Sequence, residues 1–308
     1  MEARAAKRHR FAVSRHTDFE VGGPRAWNGG LEGHAPYALD GRAGRLWLTD
    51  APRTILDEPF LYAAQLDAAT RVLAARPEDL LRGLPAIDWR AAAPLFVLSI
   101  GRCGSTLTTR MLRRSGWRGL SEPDVFDLAT WDMEPGRTDR ALHAAASAWA
   151  AFARATPERT AFKLRSDLSS HVHVLRRAFP AARFLFLTRK VEPWAHSFVR
   201  AFGVRNAHLA GTLLHARACL RHLVRTEARL AVLDYETLAA EPSALGRALI
   251  ELGYAAPRGL VVEREHVQSS ERNEFEAMTP GKRAQVARFI AAAPPAPVPD
   301  EARPFVVT

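Results

Sequence analysis

The amino-acid sequence predicts an α/β fold of three layers, with a central, mostly parallel sheet flanked by helices and an N-terminal extension ahead of it. Three observations carry that expectation. Short apolar runs at 94–100, 160–164, 182–187 and 229–234 alternate with longer segments of helical period, the pattern of βαβ units and not of hairpins. The run from Pro94 to Ile100 passes through Gly101 and Gly104 into Ser105, Thr106 and the helically spaced Leu107, Met111 and Leu112, which reads as strand, tight loop, helix. A second passage, Ala182 to Phe198, ends a buried strand in Arg189 and turns into another helix.

Composition bounds the rest. With 308 residues, 47% hydrophobic and 25% charged, the chain suits one large domain or a core with an appendage. The expected division is an N-terminal lobe at 1–92, an α/β domain at 93–290 and a Pro/Ala-rich tail at 291–308. A formal net charge of +10 favours anionic partners. The basic residues are nearly all Arg, with Lys only at Lys7, Lys163, Lys190 and Lys282, and Arg grips phosphate or sulfate in a bidentate way. Because Ala is also abundant, the charge is not counted as evidence for nucleic acid, and a nucleic-acid partner is not expected. Cys103 and Cys219 cannot build a disulfide framework or a Cys-based zinc site, which suits a reducing compartment. No apolar run approaches the roughly 18 residues of a bilayer span, and the basic start Arg4 to Arg10 precedes no apolar signal core. A cytoplasmic chain without a membrane span is the expectation.

Taken in order, Gly22-Gly23-Pro24 and Gly29-Gly30 mark loops, and Arg45 to Thr49 alternates like a strand. From Glu58 to Leu81 the spacing of Phe60, Leu61, Ala64, Leu66, Ala69, Val72 and Leu73 predicts a helix. After the glycine loop, Trp117 to Leu120 is a short strand ending in Ser121-Glu122-Pro123. Residues 138–156 are Ala-rich and helical, stopping before Pro157. Thr160 to Leu164 is a strand with Arg165-Ser166-Asp167 at its tip, and Ser169 or Ser170 caps the helix that follows, which Pro180 stops. Residues 206–228 form a long helix carrying His208, His215 and His222. Members of that series lie about 10 Å apart, too far for one metal, and no metal site is expected. Arg229 to Leu238 is a strand ending in acids. Gly281-Lys282-Arg283 is expected in a solvated loop before a helix, and the Pro/Ala run beyond it has little expected structure.

The chemistry concentrates in the two passages named first. Gly101 and Gly104 let the backbone approach an anion, the loop amides and helix N-terminus attract it, and Ser105 and Thr106 add hydroxyls. Arg102 puts a permanent cation in the loop. A nucleotide-triphosphatase loop, GxxxxGK[ST], needs four residues between its glycines and a Lys after the second, whereas Ser105 stands there in this chain. Arg102-Cys103-Gly104-Ser105-Thr106 instead resembles the 5′-phosphosulfate loop of sulfotransferases that use 3′-phosphoadenosine 5′-phosphosulfate (PAPS), which commonly reads Arg-Ser-Gly-Thr-Thr. The second passage resembles that family's 3′-phosphate site, Phe-Pro-x-Ala-Lys, a hydrophobic run, Arg, then Ser eight residues on. Here Phe179-Pro180-Ala181-Ala182-Arg183 leads into the run, and Ser197 follows Arg189 by eight. The family's Asp-Pro after the Arg is replaced by Lys190-Val191, with Pro193 displaced.

The resemblance covers about residues 94–255 and implies a P-loop-like fold. It implies that Arg102, Cys103, Gly104, Ser105 and Thr106 hold the 5′-phosphosulfate of PAPS while Arg189 and Ser197 hold the 3′-phosphate. Glu122, at the end of the strand beside the loop, is the candidate base that removes a proton from an acceptor hydroxyl or amine; several branches of the family place a catalytic Glu near this point and others use His. A turn or a helix cap is the structural alternative for Glu122. Lys163 matches a family Lys at the end of its strand, where with Arg102 it would stabilise charge on the leaving oxygen; an ion pair with Asp167 is its structural alternative. No metal is implied, and the acceptor would be a small molecule or a carbohydrate. Three other readings compete: a P-loop nucleotide or small-molecule kinase with Asp234 holding Mg²⁺, a basic nucleic-acid-binding protein, and a catalytically inactive sulfotransferase-like scaffold that binds the bisphosphate and transfers nothing.

Overall fold

The computed structural model describes residues 25–26, 33–40, 43–58, 60–61, 64–65, 71–126, 134–255 and 278–307. The basic start Arg4 to Arg10, the loops Gly22-Gly23-Pro24 and Gly29-Gly30, and residues 66–70 of the expected helix lie outside them. In chain order the described strands are β1 (Arg25–Ala26), β2 (His34–Asp40), β3 (Arg45–Asp50), β4 (Val72–Ala75), β5 (Leu95–Ser99), β6 (Arg118–Ser121), β7 (Thr160–Lys163), β8 (Arg183–Thr188) and β9 (Arg229–Asp234). The described α-helices are α1 (Pro77–Gly83), α2 (Ser105–Arg114), α3 (Pro135–Ala153), α4 (Val172–Ala178), α5 (Val191–Phe202), α6 (Asn206–Arg225), α7 (Tyr235–Ala240), α8 (Ser243–Glu251) and α9 (Pro280–Ala291). β6 and β7 pair in parallel, and β5, β8 and β9 stand side by side in that order with both pairs parallel. The expected α/β class with a parallel sheet and flanking helices is therefore the one observed. The chain forms two interleaved compact units, Met1–Pro94 with Trp117–Leu164 and Val174–Ala181, and Leu95–Gly116 with Arg165–His173 and Ala182–Thr308.

The first unit carries a four-stranded sheet in the order β1-β4-β3-β2. β3 pairs antiparallel with both β2 and β4, and the β2 register shifts between Pro36 and Ala38. Such a shift leaves carbonyls without ladder partners. The buried amide of Gln65 meets them, its Nε2 donating to Pro36 O at 3.2 Å and to Thr49 Oγ1 at 3.0 Å. The alternation at Arg45 to Thr49 does mark a strand. The helix expected from Glu58 to Leu81 is corrected: Val72–Ala75 is a strand and Pro77 starts a separate helix. A run of four apolar residues fits either period, and pairing of Leu73 with Leu48 and Ala74 with Trp47 decides for the strand. Pro77, with φ pre-set for the first helical position, then begins α1. The Ala-rich α3 packs on α1, and Trp89 Nε1 donates to Ser147 Oγ of α3 at 2.7 Å.

In the second unit β5, β8 and β9 run parallel, Leu95 facing Arg183 and Arg183 facing Arg229. Leu95 to Leu98 and Phe184 to Leu187 are fully or almost fully buried, which explains why they read as unbroken apolar runs. Burying each such side chain contributes about 1.5–3 kcal/mol, so these strands are a firm base for the loops at their ends. α8 packs on β9 and α9 on α5. The helix expected near Pro193 already begins at Val191. One expectation for the C-terminal part is corrected. Gly281-Lys282-Arg283 forms the first turn of α9, where Thr279 caps it by accepting from Lys282 N. The Pro/Ala run has no helix or strand at 293–299, as expected; beyond it Asp300–Phe305 is a 3₁₀ turn, Ala302 and Val307 are buried, and Val307 N donates to Val232 O of β9 at 2.9 Å. Among the described residues no helix is long and apolar enough to cross a membrane.

Candidate active site

The loop between β5 and α2 turns through the left-handed region three times, with φ 73° at Gly101, 53° at Arg102 and 81° at Gly104. Two of these positions are glycine, which tolerates that conformation, and one is not. The strain at Arg102, about 1–2 kcal/mol, is held by its surroundings. Ser99 Oγ accepts from Gly101 N at 3.3 Å, and the buried indole of Trp194 donates to Ile100 O at 3.3 Å and Gly101 O at 3.1 Å. Two loop carbonyls are thus tied down on the protein side. Cys103 is buried with Sγ 3.4 Å from Leu187 O, so it anchors the loop to β8. Ser105 and Thr106 open α2, whose first-turn amides have no helical acceptor.

Gly104 also makes room. A Cβ there would lie 2.5 Å from Cδ2 of the Tyr235 ring, and that ring is itself held under the Arg189 guanidinium at 4.5 Å. Gly104→Ala is expected to destabilise the protein by more than about 1 kcal/mol, because alanine is both strained at positive φ and blocked by a packed ring. Thermal unfolding checks this, and an unchanged Tm would refute the close fit.

Arg189, just past β8, reaches back to the loop: its Nη1 donates to Arg102 O at 3.2 Å. Arg102 in turn donates from Nε to Ser197 Oγ at 3.2 Å, across from α5. The expected pair of motifs therefore meets in space within this unit. Arg189 is also near Glu236, Nε to Oε1 3.6 Å, and Glu236 Oε2 accepts from Lys190 N at 3.2 Å. Burial first, and then the positive charges of Arg200 and Arg189, push the Arg102 guanidinium below its ordinary value. Arg102 and Arg189 stand together in a half-buried place, and a bound anion would relieve the repulsion of their charges. Arg200, three positions after Ser197 on α5, shares that helical face. Tyr235 and Trp194 were missed. Trp194 sits inside the second passage and Tyr235 beside Asp234, and nothing in their types announced a role as loop supports.

Asp234, the candidate Mg²⁺ ligand of the kinase reading, has both carboxylate oxygens occupied. Oδ1 accepts from Thr237 N at 2.8 Å and Oδ2 from Thr237 Oγ1 at 2.9 Å, capping α7. Capping residues of this kind are common at helix starts. His208 packs at 5.8 Å from the Phe198 ring and His222 at 6.3 Å from His173, so the histidines of α6 contact different neighbours.

Glu122 and Lys163 belong to the first unit. Lys163 ends β7 and Glu122 follows β6; the Lys163 ammonium makes an ion pair and hydrogen bond with Glu122 Oε1. The side chains are 3% and 18% exposed respectively. The parallel register of β6 and β7 places Ser121 opposite Lys163, which brings the next residue, Glu122, within reach of the ammonium; the Asp167 side chain lies outside the described residues. Glu122 has φ 51°, uncommon for a side chain of this type, and its N–H donates to Lys163 O at 2.7 Å. Backbone strain of this sort is characteristic of functional positions and also of tight turns.

No family model matches the sequence and no curated protein matches it. Among solved structures, the chain is similar to the sulfotransferase domain from the Synechococcus PCC 7002 olefin synthase, at 18% identity and TM-score 0.39, over 65% of this chain and 96% of that one. It is similar to the sulfotransferase STF9 from Mycobacterium avium at 13% identity and TM-score 0.35, over 71% of each chain. A structure of retinol dehydratase in a complex with retinol and PAP shares 14% identity and a TM-score of 0.29, over 62% of this chain and 67% of that one.

Proposed function

We propose that this protein is a sulfotransferase that takes the sulfuryl group of PAPS and passes it to a hydroxyl or amine of a small-molecule or carbohydrate acceptor. The observation that carries the reading is the meeting of Arg102, Ser197 and Arg189 at one place, from two motifs far apart in sequence. The site's chemistry fits the donor: two left-handed glycines, a helix N-terminus and the adjacent Arg102 and Arg189 suit a nucleotide with phosphate on both sides of its ribose. PAPS would supply the sulfuryl group: the acceptor oxygen or nitrogen bonds to sulfur as the bond from sulfur to the 5′-phosphate oxygen breaks, adenosine 3′,5′-bisphosphate leaves, and the acceptor's proton passes to the base. In this reading the loop 102–106 holds the 5′ end, Arg189 and Ser197 hold the 3′-phosphate, and Arg102 stabilises charge where the leaving oxygen develops. Glu122 is assigned the base. Lys163, expected to aid the leaving oxygen, is assigned instead to orient Glu122, because its ammonium already engages that carboxylate.

The kinase alternative and this reading separate in one measurement. Adenosine 3′,5′-bisphosphate is expected to raise the Tm of the protein, and ATP with Mg²⁺ to raise it less or not at all. Protection by ATP with Mg²⁺ alone would reverse the choice. Protection by polyanions alone, fading steeply with salt, would favour a nucleic-acid binder.

A further inference from the structure

At the end of the second unit's strands away from Arg102 and Arg189, two more guanidinium groups stand together. Arg183 opens β8 and Arg229 opens β9, and the parallel register sets them directly opposite. Residues facing one another in this way send their side chains from the same face of the sheet. The turn that ends α8 closes over both. Gly253, at φ 79°, donates to Ile250 O at 2.7 Å, and Tyr254 N donates to Leu249 O at 2.9 Å, the αL closure that favours glycine. A Cβ on Gly253 would lie 2.9 Å from Arg229 Nη1 and 3.7 Å from Arg183 Nη1, so the two cations crowd one backbone position. The Tyr254 ring lies 4.0 Å from Arg183 Cζ and covers one of its faces.

Like charges set opposite on neighbouring strands are destabilising, and among the described residues neither arginine has a carboxylate at ion-pair distance. Arg183 Nε is buried with no hydrogen-bond partner. A guanidinium whose face is covered by an aromatic ring presents its N–H edge, and that edge matches the paired oxygens of a tetrahedral oxyanion. We propose that Arg183 and Arg229, with Tyr254 backing the first and Gly253 leaving space for both, form a second anion site that takes a phosphate or sulfate group. The site stands on β8, β9 and α8 alone and does not depend on the activity proposed above.

The test keeps the two anion sites apart by using the Arg189→Ala protein as its background. Tm is measured in about ten millimolar inorganic phosphate and, in a separate arm, glycerol 3-phosphate, each against sodium chloride of equal ionic strength. A rise of about 2 °C over chloride is expected in one arm or both, and it disappears when Arg229→Gln is added. Arg229 is exposed, so that variant is expected to fold; Arg183→Gln is the second variant and should act in the same way. Rises of equal size with and without Arg229→Gln, or no rise beyond chloride in either arm, overturn the site. Because every sample carries Arg189→Ala, failure of the donor-site reading does not alter the comparison.

Discussion

Arg189→Ala is expected to weaken binding of adenosine 3′,5′-bisphosphate about a hundredfold. A hydrogen bond to a charged group contributes about 1.5–3 kcal/mol, and each 1.4 kcal/mol is a factor of ten, so losing a bidentate grip on a phosphate accounts for that size. The same side chain donates to Arg102 O and therefore also steadies the loop that would hold the other end of the nucleotide. Because Arg189 also contacts the Tyr235 ring and Glu236, the Tm of the unliganded variant is measured beside the titration, so that lost stability is told apart from lost binding. Calorimetric titration of wild type and variant measures the effect. Arg189→Lys keeps the charge without the planar fork and should fall between them. Equal affinity in wild type and Arg189→Ala would remove the nucleotide site from this part of the chain, and with it the proposed donor.

Glu122→Gln should leave bisphosphate binding within a few-fold of wild type and lower sulfuryl transfer about 10²–10⁴-fold, the usual contribution of a positioned general base. Turnover is read with a panel of phenols, alcohols and amines as acceptors. The variant carries a stability cost that has to be separated from the chemistry. Lys163 is nearly fully buried and its ammonium is paired with Glu122, and breaking a buried pair costs about 3–5 kcal/mol. Adding Lys163→Met removes the stranded charge, so the double variant should recover Tm without recovering turnover. Full turnover in Glu122→Gln, or turnover restored by Lys163→Met, would reduce the pair to a structural ion pair between β6 and β7.

What could be read in advance follows from the range of each interaction. The loop after β5 was legible because strand, glycines, hydroxyls and helix lie within about twenty consecutive residues, and their meaning is local. Arg189 and Ser197 were legible for the same reason, being a strand end and a helical position eight apart. Val72 and Leu73 were read as helical because four apolar residues do not fix a period; only β3, more than twenty positions earlier, makes them a strand. The irregular Pro/Ala run is legible from its Pro content, whereas the docking of Val307 beyond it depends on an acceptor on β9, far away in sequence. Asp234 carried an acid at a strand end in either reading, and its role as a cap depends on where Thr237 points.

By itself, then, the sequence determined the α/β class, the order of the parallel-sheet segments and the two Arg-bearing motifs, since periodicity, glycine placement and strand ends are properties of neighbouring residues. Only the tertiary structure decided that Arg102 and Arg189 lie against each other, that Tyr235 joins them, that Lys163 answers Glu122, and that Arg183 faces Arg229. Those pairings are set by strand register and helix packing, which bring together residues tens of positions apart through burial of apolar side chains that no local pattern encodes.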